Sequence, residues 1–460
     1  MKLAFIRQVC AAQSALRRIV DPILHMSAAS LEKLCHYANA EAPTRAISRH
    51  PRHIKGHEEK HMTRFDEARL NRIGAVGRRY VDDGKIPCSV VQIADSSGPI
   101  YTDTYGWADV EDQIPITTES IFRIYSMTKP ITSIVLMQLH EEGHLLLEDP
   151  LEKFLPEFAN PTVMVGGSDI SPVTRPAARS ITVKDILTHC SGFTYGFLRQ
   201  GPLDARYRAQ GLGDFTTPDY SLQEAMQRLA EQPLLFEPGT AWNYSMSTDV
   251  CGAVIEAITG QTLAQAFAER VFNPLSMLDT GFSVPASATE RFTSLYAPIP
   301  PGPMTRIDQA ESSNYLKPPA FLSGGGGLVS TLGDYQKFAS MLLANGIGDG
   351  NRIIGRRTLE YMASNHLPGG KLLNELGQSL FSEVAMDGMG FGLGFAVVQD
   401  PAANASMCSP GEFNWGGAAS TAFWVDPVEE ITAVFMTQLL PSSHYPLRRE
   451  LRAAVYQSLV

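Results

Sequence analysis

The chain reads as an α+β fold, and three observations carry that reading. A strand-like segment at residues 121–125 runs into a helical pattern beginning near Lys129. A second helical stretch, residues 249–259, ends at Gly260, the residue type that most readily closes a helix in the left-handed conformation. Towards the C-terminus, residues 415–425 and 431–436 read as two strands joined at Asp426-Pro427. Residues 445–460 then place Leu451, Ala454, Val455 and Leu459 at helical spacing, which suits docking onto a sheet.

The first of these elements carries chemistry. Ser126-Met127-Thr128-Lys129 is an S-x-x-K tetrad at the junction of strand and helix. Residues i and i+3 share a helix face, so a hydroxyl and an amine stand side by side at a helix N-terminus. A serine hydroxyl needs an adjacent base to act as a nucleophile. A lysine serves as that base when burial or a neighbouring cation keeps it neutral. The unpaired amides of the helix start favour developing negative charge. The tetrad thus reads as an acyl-transfer serine, although a lysine on a solvated helix face produces the same four letters by chance.

Three further segments bear on that choice. Tyr244 follows the turn-forming Phe236-Glu237-Pro238-Gly239-Thr240 and precedes the second helix, so it sits on a loop that presents a phenol to a cleft or buries it in the core. Trp415-Gly416-Gly417 opens the first of the two C-terminal strands, where glycines let the backbone approach a ligand or simply form a bulge. His189-Cys190-Ser191-Gly192 reads as the end of a short helix closed by glycine, with His189 as a scaffold residue outside catalysis.

Taken in order, these segments resemble the serine β-lactamase-like superfamily of penicillin-recognising enzymes, and within it the family VIII carboxylesterases, which share the class C β-lactamase fold. Ser126 to Lys129 matches S-x-x-K, Tyr244-Ser245-Met246 matches Y-x-N at Tyr244, and Trp415-Gly416-Gly417 stands in place of K-T-G. Leu187-Thr188-His189-Cys190-Ser191-Gly192 and Ser323-Gly324-Gly325-Gly326-Gly327-Leu328 resemble scaffold signatures of the same proteins. The resemblance spans Phe65 to the C-terminus. No G-x-S-x-G elbow is present, which argues against an α/β-hydrolase esterase.

The resemblance implies one catalytic domain over residues 62–460. Its α/β part covers about 62–126 and 386–460, with an antiparallel sheet at 89–94, 100–107, 393–399, 421–425 and 431–437 flanked by terminal helices. Its mostly helical part covers about 127–385. It also implies a serine carboxylesterase acting on short-chain acyl esters. Ser126 is the nucleophile, Lys129 and Tyr244 share the base role and titrate as a unit, and the amides of Ser126 and Ala418 form the oxyanion hole. Trp415, with Gly416 and Gly417, shapes the substrate pocket, and no metal or organic cofactor is implied. Met246 replaces an asparagine and Trp415 a lysine that β-lactamases use to hold their substrates, so a neutral ester is favoured over a lactam. The other readings are a β-lactamase or D-Ala-D-Ala carboxypeptidase, an acyl transferase, and a non-catalytic binding relative. Pocket walls are expected from the loops around 195–218 and 297–319, including Tyr195, Phe197 and Tyr315.

Composition agrees with an ordinary enzyme. The chain has 460 residues, 44% of them hydrophobic, and a net charge of −10, which gives no nucleic-acid footprint. Residues 1–61 carry ten Lys+Arg against five Asp+Glu, hence +5, so the remainder carries −15. This segment reads as an extension, disordered or non-native, and the short apolar run after Lys2 does not make a secretory signal. His50, His53, His57 and His61 have the spacing of a metal-binding helix face, but a histidine-rich tail explains them more simply. No run reaches the ~18 apolar residues of a membrane span. Cys10, Cys35, Cys88, Cys190, Cys251 and Cys408 show no disulfide framework, and the expectation is a cytoplasmic enzyme with reduced thiols and a small-molecule ester as its partner.

Overall fold

The computed structural model describes residues 64–215, 218–299, 304–377, 386–442 and 444–460. The expected extension over 1–61, its histidine series, and Cys10 and Cys35 lie outside the described residues.

The elements that frame the site are, in chain order, helix α1 (Glu67–Asp82), strands β1 (Cys88–Asp95), β2 (Gly98–Asp109), β3 (Ile114–Pro115) and β4 (Ile121–Arg123), helix α2 (Thr128–Glu141) and helix α3 (Ser247–Thr259). After these come β5 (Val329–Thr331), α4 (Leu332–Leu343), β6 (Met389–Phe391), β7 (Ala396–Val398), β8 (Phe413–Gly416), β9 (Ala422–Asp426), β10 (Ile431–Met436) and α5 (Leu447–Tyr456). Eight strands form one antiparallel sheet in the order β6-β7-β8-β9-β10-β1-β2-β3. The C-terminal strands therefore complete the sheet begun by β1.

Period-two alternation divides the sheet's faces. In β10, Ile431, Ala433 and Phe435 pack with Leu70 and Ile73 of α1 and Leu451 and Val455 of α5. Val434 and Met436 belong to the main core with residues of α2, α3 and α4. Helix α2 is buried without a break from Thr128 to Leu139, as a helix enclosed on every side must be. Burying one such aliphatic side chain is worth about 1.5–3 kcal/mol, and that anchoring fixes the strand-to-helix junction that holds Ser126.

Four expected elements come out differently. Of residues 393–399 only Ala396–Val398 is strand, the single strand β7 paired with β6, and Gly394, at φ 95°, sits in the connection before it. A side chain there would run into Ser133 on α2. Residues 415–425 hold the ends of two strands, β8 and β9, with the expected sheet strand 421–425 falling in β9, and in the turn between them the Ser420 amide donates to the Gly417 carbonyl (3.0 Å). The helix before His189 spans Val183–Leu187 and stops without a glycine; His189 itself takes φ 56° and turns the chain. The 121–125 segment is a strand only over Ile121–Arg123, and it pairs with β5 outside the main sheet.

Among the described residues no helix is long and apolar enough to cross a membrane. Cys88, Cys190, Cys251 and Cys408 are free thiols.

Candidate active site

Ser126 lies in a single 3-10 turn, Tyr125–Met127, that leads into α2. The first helical hydrogen bond here is Met127 N to Ile124 O (3.0 Å), so the Ser126 amide precedes the helical ladder and its side chain stands at the helix mouth. Tyr125, immediately before it, has φ 41°, a left-handed conformation that is costly for an aromatic residue and concentrates at functional sites.

Pairing of β4 with β5 sets Arg123 opposite Val329 and draws the Ser323–Gly327 loop beside Ser126. Ile124 N donates to Leu328 O (3.1 Å), and Leu328 N to Thr128 Oγ1 (3.2 Å). Lys129 is buried, and its Nζ donates to Gly325 O (2.6 Å) and to Ser126 Oγ (3.4 Å). Asp249, in the first turn of α3, anchors the same loop, accepting from Ser323 Oγ (2.5 Å) and Gly325 N (3.0 Å). Burial pushes the Asp249 carboxyl above its usual range, opposed by the Ser323 hydrogen bond, the Lys129 charge and the Gly325 amide.

Tyr244 arrives on the loop before α3, and its hydroxyl donates to Ser126 Oγ (2.6 Å). Its ring is held by His189, Tyr195 and Trp415 with centroids 5.1, 5.3 and 5.6 Å away, and by Trp242 at 6.4 Å. Below the ring a polar chain fixes the loop. His189 Nδ1 meets Ser245 Oγ (3.1 Å), Ser245 meets Ser247 (2.9 Å), and Ser247 meets Ser191 (2.8 Å). Asn243 Nδ2 donates to Phe193 O (3.0 Å). Burial, and then the Lys129 charge, hold the His189 imidazole well below its ordinary pKa, so it is a neutral scaffold ring.

Ser126 and Ala418 face one cavity of about 630 Å³, whose walls include Tyr195, Phe197, Phe215 and Tyr315 from the two expected loops. Met246 lines it as well. Trp415 and the glycines after it are placed otherwise than expected. Trp415 is buried against Tyr244 and Phe391 (5.5 Å) and is absent from the walls of this cavity. Gly416 and Gly417 are glycines because protein, not ligand, comes close: a Cβ at 416 would lie 2.5 Å from Arg448 Cζ, and one at 417 would strike the Ile124 carbonyl. Sequence reasoning also missed the roles of Asp249 and Arg448. An aspartate in the first turn of an apolar helix looks like a routine favourable charge, and Arg448 gives no local signal. Among the described residues no group of three or more His, Cys, Asp or Glu side chains is arranged to hold a metal ion.

The Beta-lactamase family model matches residues 73–457, and the chain belongs to that family. It is 30% identical over 401 residues to Esterase EstB of Burkholderia gladioli, covering 84% of this chain and 94% of that protein. This agrees with the family VIII carboxylesterase resemblance of the motifs. Among solved structures, "EstCE1, a hydrolase with promiscuous acyltransferase activity" superimposes with a TM-score of 0.70 at 28% identity, over 85% of this chain and 99% of that one. A simvastatin synthase (LovD6 mutant) from Aspergillus terreus does so with a TM-score of 0.71 at 24% identity, over 85% and 95%, which bears on the fold alone. The chain is thus an enzyme of the β-lactamase fold, a serine hydrolase by class.

Proposed function

We propose that this protein is a serine carboxylesterase that works through an acyl-enzyme on Ser126. The observation that carries the reading is the double approach to one oxygen: Tyr244 hydroxyl at 2.6 Å and Lys129 Nζ at 3.4 Å from Ser126 Oγ. One of these donors must start deprotonated to take the serine proton as Oγ attacks the ester carbonyl. The proton then passes to the departing alcohol, with Tyr244 as the donor. Water repeats the sequence to release the acid. The amides of Ser126 and Ala418, residues that both line the cavity, are the proposed oxyanion donors. Trp415 serves by packing Tyr244 in place rather than by touching substrate.

The esterase reading over a lactamase rests on Met246, which lacks the side-chain amide of an asparagine, and on Trp415, which lacks the charge that would pair with a lactam's carboxylate. It is also supported by the esterase names of relatives such as EstB. The cavity volume of about 630 Å³ leaves room for short acyl esters and for bulkier ones. Acyl transfer to an alcohol is the second reading, favoured by the acyltransferase activity named for EstCE1. A cytoplasmic location is proposed on the free thiols Cys88, Cys190, Cys251 and Cys408.

The test is a side-by-side assay of the wild type and Ser126→Ala on p-nitrophenyl butyrate and a chromogenic cephalosporin, repeated with a primary alcohol present. Ester turnover that vanishes with Ser126 and leaves the cephalosporin nearly untouched supports the esterase. An ester product formed at the expense of acid moves the assignment to acyl transfer, and rapid cephalosporin opening moves it to a lactamase.

A further inference from the structure

The reactive serine opens onto walls of one electrostatic sign. Asp214, Asp308 and the buried Asp249 line the cavity, and no lysine, arginine or histidine does so among the described residues. The cation that balances Asp308 is behind the wall. Arg123 is fully buried and reaches Asp308 Oδ2 through Nη2 (2.6 Å) and Nε (3.1 Å), backed by Thr293 O (2.6 Å). The side chain of Asp308 remains 32% exposed against 0% for Arg123. The pair is therefore a dipole with its negative end towards the cavity, and low dielectric behind it keeps that orientation fixed. Lys129 donates its Nζ hydrogens to Gly325 and Ser126 beneath the nucleophile. Arg228 stands over the Tyr220 ring at 4.1 Å and belongs to an adjoining hollow.

The remaining wall is aromatic and continuous. Tyr125 meets Phe215 edge to face (6.3 Å), Phe215 meets Phe197 (4.7 Å), and Phe197 stacks on Tyr195 (4.7 Å). Asp214 directly precedes Phe215. Ring faces attract organic cations and give nothing to anions. The net charge of −15 on residues outside 1–61 adds a long-range field of the same sign.

From this we infer that the cavity selects its ester by charge: Asp214, Asp308 and the aromatic wall favour an ester carrying an ammonium group over its uncharged isostere, and reject one carrying a carboxylate. The inference rests on the esterase reading and adds a substrate class to it. It also gives a reason, independent of Met246 and Trp415, why a lactam or a D-alanyl peptide, each bearing a carboxylate, would be a poor substrate.

The experiment compares kcat/KM for the p-nitrophenyl esters of γ-trimethylammoniobutyrate, of its tert-butyl isostere and of glutarate, each divided by its rate of hydroxide hydrolysis. The expected order is cation, neutral, anion, with the anion at least about tenfold below the neutral ester and the gap narrowing as ionic strength rises. Asp214→Asn should shrink the cation-to-anion ratio. Asp308→Asn should do the same if it folds, but it leaves Arg123 buried without its carboxylate, so the Asp214 variant and the salt series decide. A glutarate half-ester turned over as fast as the neutral isostere would overturn the inference while leaving the esterase intact. Loss of Ser126-dependent turnover on all three would instead overturn the esterase reading.

Discussion

The guanidinium of Arg448 fills the space that a side chain at Gly416 would need. A Cβ built on Gly416 would lie 2.5 Å from Arg448 Cζ and 2.6 Å from both terminal nitrogens. From that position Arg448 Nη2 donates to the carbonyls of Gly417 (2.7 Å) and Thr421 (2.5 Å). These carbonyls bracket the turn that carries Ala418. A motif expected to admit substrate is thus a notch for an arginine from the C-terminal helix, and the arginine ties off the turn of the proposed oxyanion donor.

Gly416→Ala and Arg448→Ala should therefore have one phenotype, a lower kcat with KM little changed, because the Ala418 amide matters most when the oxyanion forms. A fall of about tenfold to hundredfold is expected, up to the cost of losing a donor outright. Steady-state kinetics, with guanidinium ion added to Arg448→Ala to restore activity, separates this from a general loss of fold.

The Lys129 and Tyr244 pair should behave as one unit. Lys129→Ala and Tyr244→Phe should each lose several orders of magnitude in kcat, and the double variant should be no worse than the poorer single. Additive losses would mean that the two residues act in separate steps. Single-turnover release of p-nitrophenol measures this without interference from deacylation.

Asp249 acts on Lys129 by charge and through the Gly325 loop, since its carboxylate anchors the Gly325 amide and Lys129 donates to the Gly325 carbonyl. Asp249→Ala should shift that carbonyl and lower kcat by about a hundredfold, the usual effect of a misplacement of about 1 Å. Asp249→Asn, which keeps an acceptor oxygen, should recover part of the rate. The comparison is made by kcat at matched protein stability.

The proposed nucleophile was legible because its partner is three residues away: Ser126 and Lys129 share a helix face whatever the tertiary fold. Tyr244, at 118 residues from Ser126, was found only because its loop resembles a known family's. Local propensity also placed α2, α3 and α5, where apolar spacing is strong. It failed where glycines interrupt apolar runs, at 392–394 and 416–421, because a turn buried against another element has the same composition as a strand. Arg448 and Asp249 left no trace, since what they hold, a carbonyl and a loop amide, is backbone of any sequence.

His189 supplies a pH-dependent contribution. Its imidazole is buried and held neutral, well below the usual pKa. The unfolded chain therefore binds a proton there that the folded chain does not, and stability falls as pH drops below about 6.5. Its φ of 56° suits asparagine. In His189→Asn the same acid-side slope should be reduced, so the wild type's stability relative to the variant should decline from pH 8 towards pH 5. Urea midpoints across that range provide the check.

The central claim is that an ester's acyl group passes through Ser126. Rapid acid quench during turnover of a slow p-nitrophenyl ester, followed by peptide mass spectrometry, tests it most directly. The account predicts an acyl adduct on the peptide containing Ser126, formed at the rate of the p-nitrophenol burst and absent from Ser126→Ala. Sustained turnover by Ser126→Ala, or an adduct on any other residue, would contradict it.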